Sequence, residues 1–341
     1  MFCMPLLKKC LVAGTALVVL AAAAAAGGCY WSQAPLVLTP QQLDVTIKPH
    51  SSLRSVTLQL RRGGVPVATE LFVWMTRLLG LQSQLKSGNY EFKSGVTPYD
   101  VLQKLARGDV NEYVATIIEG WTFRRMRSEI DANPALKHDT AGMTDADLLK
   151  AIGAQEAPTG NAEGLFFPDT YLFDKNTSDL DVYRRAYRLM QVRLDEAWTA
   201  RAPGLPYKSA YDALTMASIV EKETGKASDR SLVAAVFANR LRLGMPLQTD
   251  PTVIYGLGDS YAGRLHKRDL QTDTPYNTYT RTGLPPTPIS LPGVASLQAA
   301  LNPAQTNALY FVSRGDGSGL SIFSDTLGDH NKAVDKYIRG Q

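Results

Sequence analysis

Cysteine is missing from almost the whole chain. Cys3, Cys10 and Cys29 all lie at the N-terminus, and nothing after Tyr30 can form a disulfide or a cysteine-ligated metal site. Histidine is nearly as scarce: His50, His138, His266 and His330 are scattered, with no metal-ligand spacing between any two. No metal and no cofactor is therefore expected. There is no Gly-rich loop of the kind that cradles phosphates, and no G-x-S-x-G nucleophile elbow. Positive charge is not concentrated either: 36 Lys and Arg face 32 Asp and Glu, with no basic block and no basic-aromatic interleaving. Nucleic acid is not an expected partner. No internal repeat stands out.

What remains is a globular composition, 45% hydrophobic and 20% charged, over 341 residues. That length accommodates two domains at roughly 100–200 residues each. At the N-terminus, Lys8 and Lys9 precede a charge-free apolar run from Cys10 to Gly28. Its length is close to the about 20 helical residues that span a bilayer. The flanking lysines predict an N-in, C-out anchor. Two alternatives stay open: cleavage among the small residues Ala21 to Gly28, or lipid attachment at Cys29. All three export the bulk of the chain.

Residues 31–40 read as a linker. Strand-like alternation over 43–48, 87–93 and 114–118 mixes with helical stretches over 51–62, 69–81 and 97–106. This predicts a small α+β module over 41–118. From residue 119 to 341 helices dominate, at about 122–132, 144–153, 179–200, 208–224 and 229–243, with a short helix over 296–301. Two strands around 309–312 and 321–323 flank a Gly-rich turn, before a last helix near 329–338. The fold class is α+β.

The central helix carries the chemistry. Asp212 to Thr224 contains no Gly or Pro. Residues three, four and seven apart share a helix face, so Glu223 stands in line with Val220, Ile219 and Met216. Glu221 points roughly 160° away. A carboxyl on a buried face must be paired or protonated through a raised pKa, and raised-pKa carboxyls serve as general acids. Periodicity alone leaves open a salt-bridged acid, partnered by Lys222 or Arg240. Glu221 also has Ala217 and Leu214 on its own face.

Three further stretches are unusual. Glu163-Gly-Leu-Phe-Phe-Pro-Asp-Thr-Tyr-Leu-Phe173 is an aromatic loop that either packs under a helix or lines a groove. Gly244 to Gly256 is turn-rich and offers the polar groups Gln248, Thr249, Asp250 and Thr252. Asp250-Pro251 also fits a helix-capping turn. Pro275 to Pro286 is too polar for core and too Pro-rich for a regular element. It predicts an ordered loop, and such loops commonly carry function.

With these stretches laid out, the chain closely resembles the endolytic murein transglycosylase (YceG-like) family. The resemblance rests on Glu163 to Tyr171, Ala217-Ser-Ile-Val-Glu-Lys-Glu-Thr224, Asn239 to Gly256, Tyr276-Asn-Thr-Tyr279 and Gly283-Leu-Pro-Pro286. It implies a single-pass inner-membrane protein facing the periplasm, with a LysM-like module and then a mainly helical catalytic domain bearing a long sugar groove. The implied reaction is cleavage of the β-1,4 bond between N-acetylmuramic acid and N-acetylglucosamine inside peptidoglycan strands, leaving 1,6-anhydro ends and terminating strand elongation. The implied catalytic acid is Glu223. The implied groove residues are Glu163, Gln248, Asp250, Tyr276, Asn277, Thr278 and Tyr279. The implied partners are peptidoglycan strands and penicillin-binding proteins of the elongation machinery. Two alternatives differ in class: a non-catalytic glycan-binding scaffold, and a muramidase-type hydrolase in which Glu163 supplies a second carboxyl.

Overall fold

The computed structural model describes residues 4–154 and 160–340, the side chains of 4–14 excepted. The topology signal from Lys8 and Lys9, and the cysteines Cys3 and Cys10, fall outside the described side chains. Helix α1 (Met4–Gln33) contains the apolar run, and its stretch Thr15–Gln33 is long and apolar enough to cross a membrane, with mean hydropathy 1.5 and none of it buried in the protein. Leu17, Val18, Val19 and Leu20 expose their apolar side chains.

The chain divides into two compact units, Met1–Tyr113 and Val114–Gln341. In the first, β1 (Gln42–Ile47) pairs antiparallel with β2 (Gly88–Lys93), with Val45 opposite Tyr90. Alternation turns Val45 and Ile47 inward. Helices α2 (Leu53–Arg62), α3 (Thr69–Leu78) and α4 (Pro98–Arg107) contribute Leu60, Phe72, Val101, Leu102 and Leu105 to the same core. Each such burial contributes about 1.5–3 kcal/mol. Helix α4 starts in a Thr97/Asp100 capping box and stops at Gly108, whose φ of 74° suits the left-handed stop.

The second unit begins with β3 (Tyr113–Thr116), which pairs with β4 (Thr170–Phe173). Ile117 N–H extends that pairing to the carbonyl of Asp169 at 2.9 Å. The division falls just inside the third strand, after its first residue Tyr113. Helices α5 (Phe123–Asp131), α6 (Asp145–Ile152) and α7 (Asp179–Thr199) follow, then α8 (Ala210–Glu223) and α9 (Ala227–Arg242). Next come α10 (Asp250–Leu257), the short α11 (Lys267–Gln271) and α12 (Val294–Leu301). The hairpin β5 (Tyr310–Ser313) and β6 (Ser321–Ser324) precedes α13 (Leu327–Val334).

Helix α8 is the axis of this unit, packed by α7, α9, α10 and α12. Every residue from Ala213 to Val220 is buried. The helix starts because the Ser209 hydroxyl accepts the Asp212 amide, while the Asp212 carboxylate accepts Lys208 N–H at 2.8 Å. It stops where Thr224 turns extended, before Gly225. Ser218 ties it sideways, accepting Ile289 N–H at 2.9 Å on its hydroxyl and Ser290 O–H at 3.0 Å on its carbonyl.

Candidate active site

Glu223 is the last residue of α8, half-buried, at the point where the buried helix surfaces. Its Oε1 accepts a short hydrogen bond from the Thr249 hydroxyl. Among the described residues it has no ion-pair partner: Lys222 Nζ donates to the Gly120 carbonyl at 3.2 Å instead. Arg240 is likewise committed elsewhere, donating to the carbonyls of Leu309, Pro246 and Leu247. Neither salt bridge that the sequence left open is formed. Burial pushes the Glu223 carboxyl up to about 7, against the Thr249 bond, and the nearby Asp250 charge adds to the rise. A carboxyl with that pKa near neutral pH can both donate and accept a proton.

The second acid of the motif has a different setting. Glu221 Oε2 accepts Gly293 N–H at 3.0 Å, at the start of α12. Through that bond Glu221 joins α8 to the N-terminus of α12.

The segment read as turn-rich is in fact mostly helix α10. Pro251 is tolerated in its first turn, where its missing N–H has no intrahelical partner to lose. Gly256 is tolerated near its end because a Cβ there would come within 2.8 Å of Thr274 Oγ1 and 3.1 Å of the Tyr276 Cβ. Thr249 precedes the helix but does not cap it with its side chain. Its hydroxyl goes to Glu223, and its N–H goes to Thr278 Oγ1 at 3.1 Å. Thr278 also shares a 2.9 Å hydrogen bond with Thr252, and its carbonyl accepts Gln248 N–H. Tyr279 O–H donates to Asp250 Oδ1 at 2.6 Å. Glu223, Thr249, Asp250, Thr278 and Tyr279 are thus one connected group.

The other expected groove residues are placed differently. Asn277 is fully buried, its amide donating to the carbonyls of Asp269, Leu270 and Thr272 while its oxygen accepts Tyr279 N–H. It shapes the loop from within. Gln248 is exposed with a φ of 51°, and its Oε1 accepts from Arg240 at 3.3 Å. Tyr276 bonds Thr287 at 2.9 Å and sets its ring edge-on to Tyr255, centroids 4.8 Å apart.

Glu163 is a second perturbed carboxyl, only 3% exposed. Its oxygens accept Phe123 N–H at 2.9 Å and Tyr255 O–H at 3.1 Å. Burial outweighs both bonds and pushes it up to about 7. The aromatics that follow it are core, not groove: Phe166, Phe167, Tyr171 and Phe173 are all buried, with Phe166 stacked on Phe123 at 5.1 Å. Sequence reasoning named Thr249 among the polar groups of its segment but gave it no part in the site, although it lies between Gln248 and Asp250 and precedes a Pro in a first helical turn, which is a start signal. It also passed over Tyr255 and Ser218, whose neighbours come from distant parts of the chain.

The chain is similar to known proteins. Residues 45–336 match the YceG-like family. An endolytic murein transglycosylase of Bacillus subtilis is 32% identical over 312 residues, covering 87% of this chain and 85% of that protein. One of Streptococcus pneumoniae is 25% identical over 329 residues, covering 88% of this chain and 59% of that longer protein. A crystal structure of a yceG-like protein from Listeria monocytogenes superposes with a TM-score of 0.55 at 30% identity, covering 86% of this chain and 99% of that one. The chain belongs to the YceG-like family.

Proposed function

We propose that this chain is a membrane-tethered lytic transglycosylase that cuts inside peptidoglycan strands, at the β-1,4 bond between N-acetylmuramic acid and N-acetylglucosamine. The observation that carries this reading is the Glu223 carboxyl: half-buried, raised to about 7, bonded to Thr249 and beside the tyrosine loop. Protonated, it gives its proton to the glycosidic oxygen as the C1–O bond breaks. The resulting carboxylate takes the proton of the muramoyl 6-hydroxyl, and that oxygen closes on C1 to form the anhydro ring. One acid serves both steps, and no water is consumed. Acid–base catalysis of this kind is worth about 10²–10⁴-fold in rate. Asp250 and Tyr279 stand beside it as groups to hold sugar hydroxyls, while Thr278 and Asn277 keep the loop in register.

The similar proteins named endolytic murein transglycosylases support the substrate and the reaction class. Helix α1 supports a single-pass anchor. On this reading the rest of the chain faces the periplasm, and the first unit serves as a LysM-like glycan holder. Anchoring would place the enzyme beside the penicillin-binding proteins that extend strands. The hydrolase reading needs a second carboxyl across the scissile bond, about 5 Å away in retaining enzymes. Glu163 suits that role poorly. Both its oxygens are taken, and its partner Tyr255 stands about 9 Å along the α10 axis from Thr249.

Digestion of purified sacculi with mass analysis of the fragments tests the reading. Anhydro-muramoyl ends are expected. Reducing ends would mean a hydrolase, and binding without release would mean a scaffold.

A further inference from the structure

Helix α3 carries an apolar stripe that the described residues leave uncovered. Leu71, Trp74 and Leu78 fall three and four residues apart and share a face. Phe72, Val73 and Thr76 lie roughly 180° away and are buried in the first unit. The helix is therefore apolar on two opposite sides, yet Trp74 is 59% exposed and Leu78 81%. Leu79, and Leu58 from α2, are exposed as well. A hollow of about 430 Å³ between α2 and α3 joins Leu58 to Leu71. A second apolar face on a helix marks a contact surface.

The surroundings of the stripe are basic. Over α2 and α3, the four arginines Arg54, Arg61, Arg62 and Arg77 face a single acid, Glu70. Glu70 is taken by Arg54 at 2.5 Å. Among the described residues, Arg62 and Arg77 have no ion-pair partner. The stripe also sits beside the apolar span. Helix α1 ends at Gln33 and touches both α3 and α4. Trp31, in its last turn, packs against the core of the first unit. Just beyond the helix, Leu36 N–H donates to the Val96 carbonyl at 2.9 Å, and the Leu36 carbonyl accepts Gly95 N–H at 2.8 Å. The first unit is thus pinned to the end of the span. With Thr15–Gln33 in a bilayer, α3 stands at the layer where headgroups meet water. Trp and Leu beside unpaired Arg is the composition that suits this layer.

We propose that the exposed face of α3, with Leu58 of α2, docks on the acidic lipid headgroups of the membrane that α1 crosses. The inference rests on the anchor reading of α1. Trp74 and Leu78 enter the headgroup layer, and Arg62 and Arg77 meet lipid phosphates. The bilayer then holds the first unit at two places, the span and this face, so the unit cannot swing about the end of α1. A second copy docked face to face would bring the same unpaired arginines together, which disfavours it as the occupant.

Full-length protein reconstituted in vesicles tests the proposal, with Trp74 as the probe. The vesicles are phosphatidylcholine brominated near the headgroup, with or without phosphatidylglycerol. Bromine quenches tryptophan emission on contact. The Trp74 signal is the difference between wild type and Trp74→Phe, which cancels Trp31, Trp121 and Trp198. Roughly half or more of the Trp74 emission is expected to be lost in the phosphatidylglycerol vesicles. An arginine at an acidic surface is worth about fivefold, so Arg62→Glu with Arg77→Glu should lower the docked-to-free ratio by about 25-fold or more and restore most of that emission. Unquenched Trp74 in the anchored protein overturns the proposal. So does a Trp74 that is shielded from aqueous iodide but untouched by bromine, which would mean that a second copy covers it. So does quenching that survives both charge reversals. A protein quenched at Trp74, yet stripped from the vesicles by alkaline carbonate, would sink the anchor reading of α1 and leave the docking surface standing.

Discussion

Thr249→Val removes the hydroxyl that donates to Glu223 and leaves the rest of the site in place. The Thr249 amide still reaches Thr278, and valine fills the same volume. A hydrogen bond to a charged group contributes about 1.5–3 kcal/mol. At 1.36 kcal/mol per pKa unit, its loss moves a carboxyl by about 1–2 units. The bond favours the ionised form, so removing it raises the pKa, from about 7 to about 8–9. The acid must be protonated to start the reaction, so activity falls on the alkaline side as pH passes this value. The pH profile of kcat/KM for anhydro-product release should therefore extend 1–2 units further into the alkaline range, as worked above. Thr249→Ser keeps the donor and should keep the wild-type profile. An alkaline limb that stays put in Thr249→Val, or moves to lower pH, would refute this account of how Glu223 is tuned.

Other expectations follow from the same contacts. Asp250→Asn removes a nearby negative charge and should move the alkaline limb of the pH profile to lower pH, opposite in sign to Thr249→Val. Glu163 is raised from 4.5 to about 7 by folding, so the folded state holds its proton more tightly than the unfolded chain. The stability this gives is fully present below pH 4.5 and is lost as pH rises through about 7. Denaturant titrations across that window should show Glu163→Gln losing about 3 kcal/mol less than wild type. Gly164 has a φ of 81°, and a Cβ there would lie 2.4 Å from the Pro288 Cβ, so Gly164→Ala should lower the melting temperature. A cost of about 2 kcal/mol or more is expected from the left-handed backbone and the clash together. Arg240→Ala strips the donor from the Pro246 and Leu247 carbonyls in the turn before α10 and from the Leu309 carbonyl before β5, and calorimetry should find a loss of about 3 kcal/mol.

Much of the helical framework could be read from periodicity, because long apolar-patterned stretches such as α7, α8 and α9 declare themselves locally. Helix α10 did not, since Pro251 and Gly256 both resemble turn residues until Tyr276 and Thr274 are seen to fill the space beside Gly256. Glu223 was legible as an acid in line with an apolar stripe. The helix face could not separate it from Glu221, however, because α8 is buried on all sides and Leu214 and Ala217 are as enclosed as Ile219. What separates the two acids is tertiary: a backbone amide from Gly293 for one, a hydroxyl from Thr249 for the other. Asn277 looked like a ligand contact because it is polar in a polar loop. Its side chain instead satisfies three carbonyls that a short irregular loop leaves without strand or helix partners. The aromatic run after Glu163 belongs to the core because Phe123 of α5 and Tyr183 of α7 pack on Phe166 from either side of it in the chain.

The central claim is that the Glu223 side chain carries the proton in both directions. Replacing it by glutamine keeps its shape and its contact with Thr249 while removing the proton. Incubating Glu223→Gln with purified sacculi, and measuring both bound glycan and released anhydro-muramoyl ends, tests this directly. Binding at the wild-type level with no anhydro ends is the predicted result; anhydro ends released at the wild-type rate would contradict it.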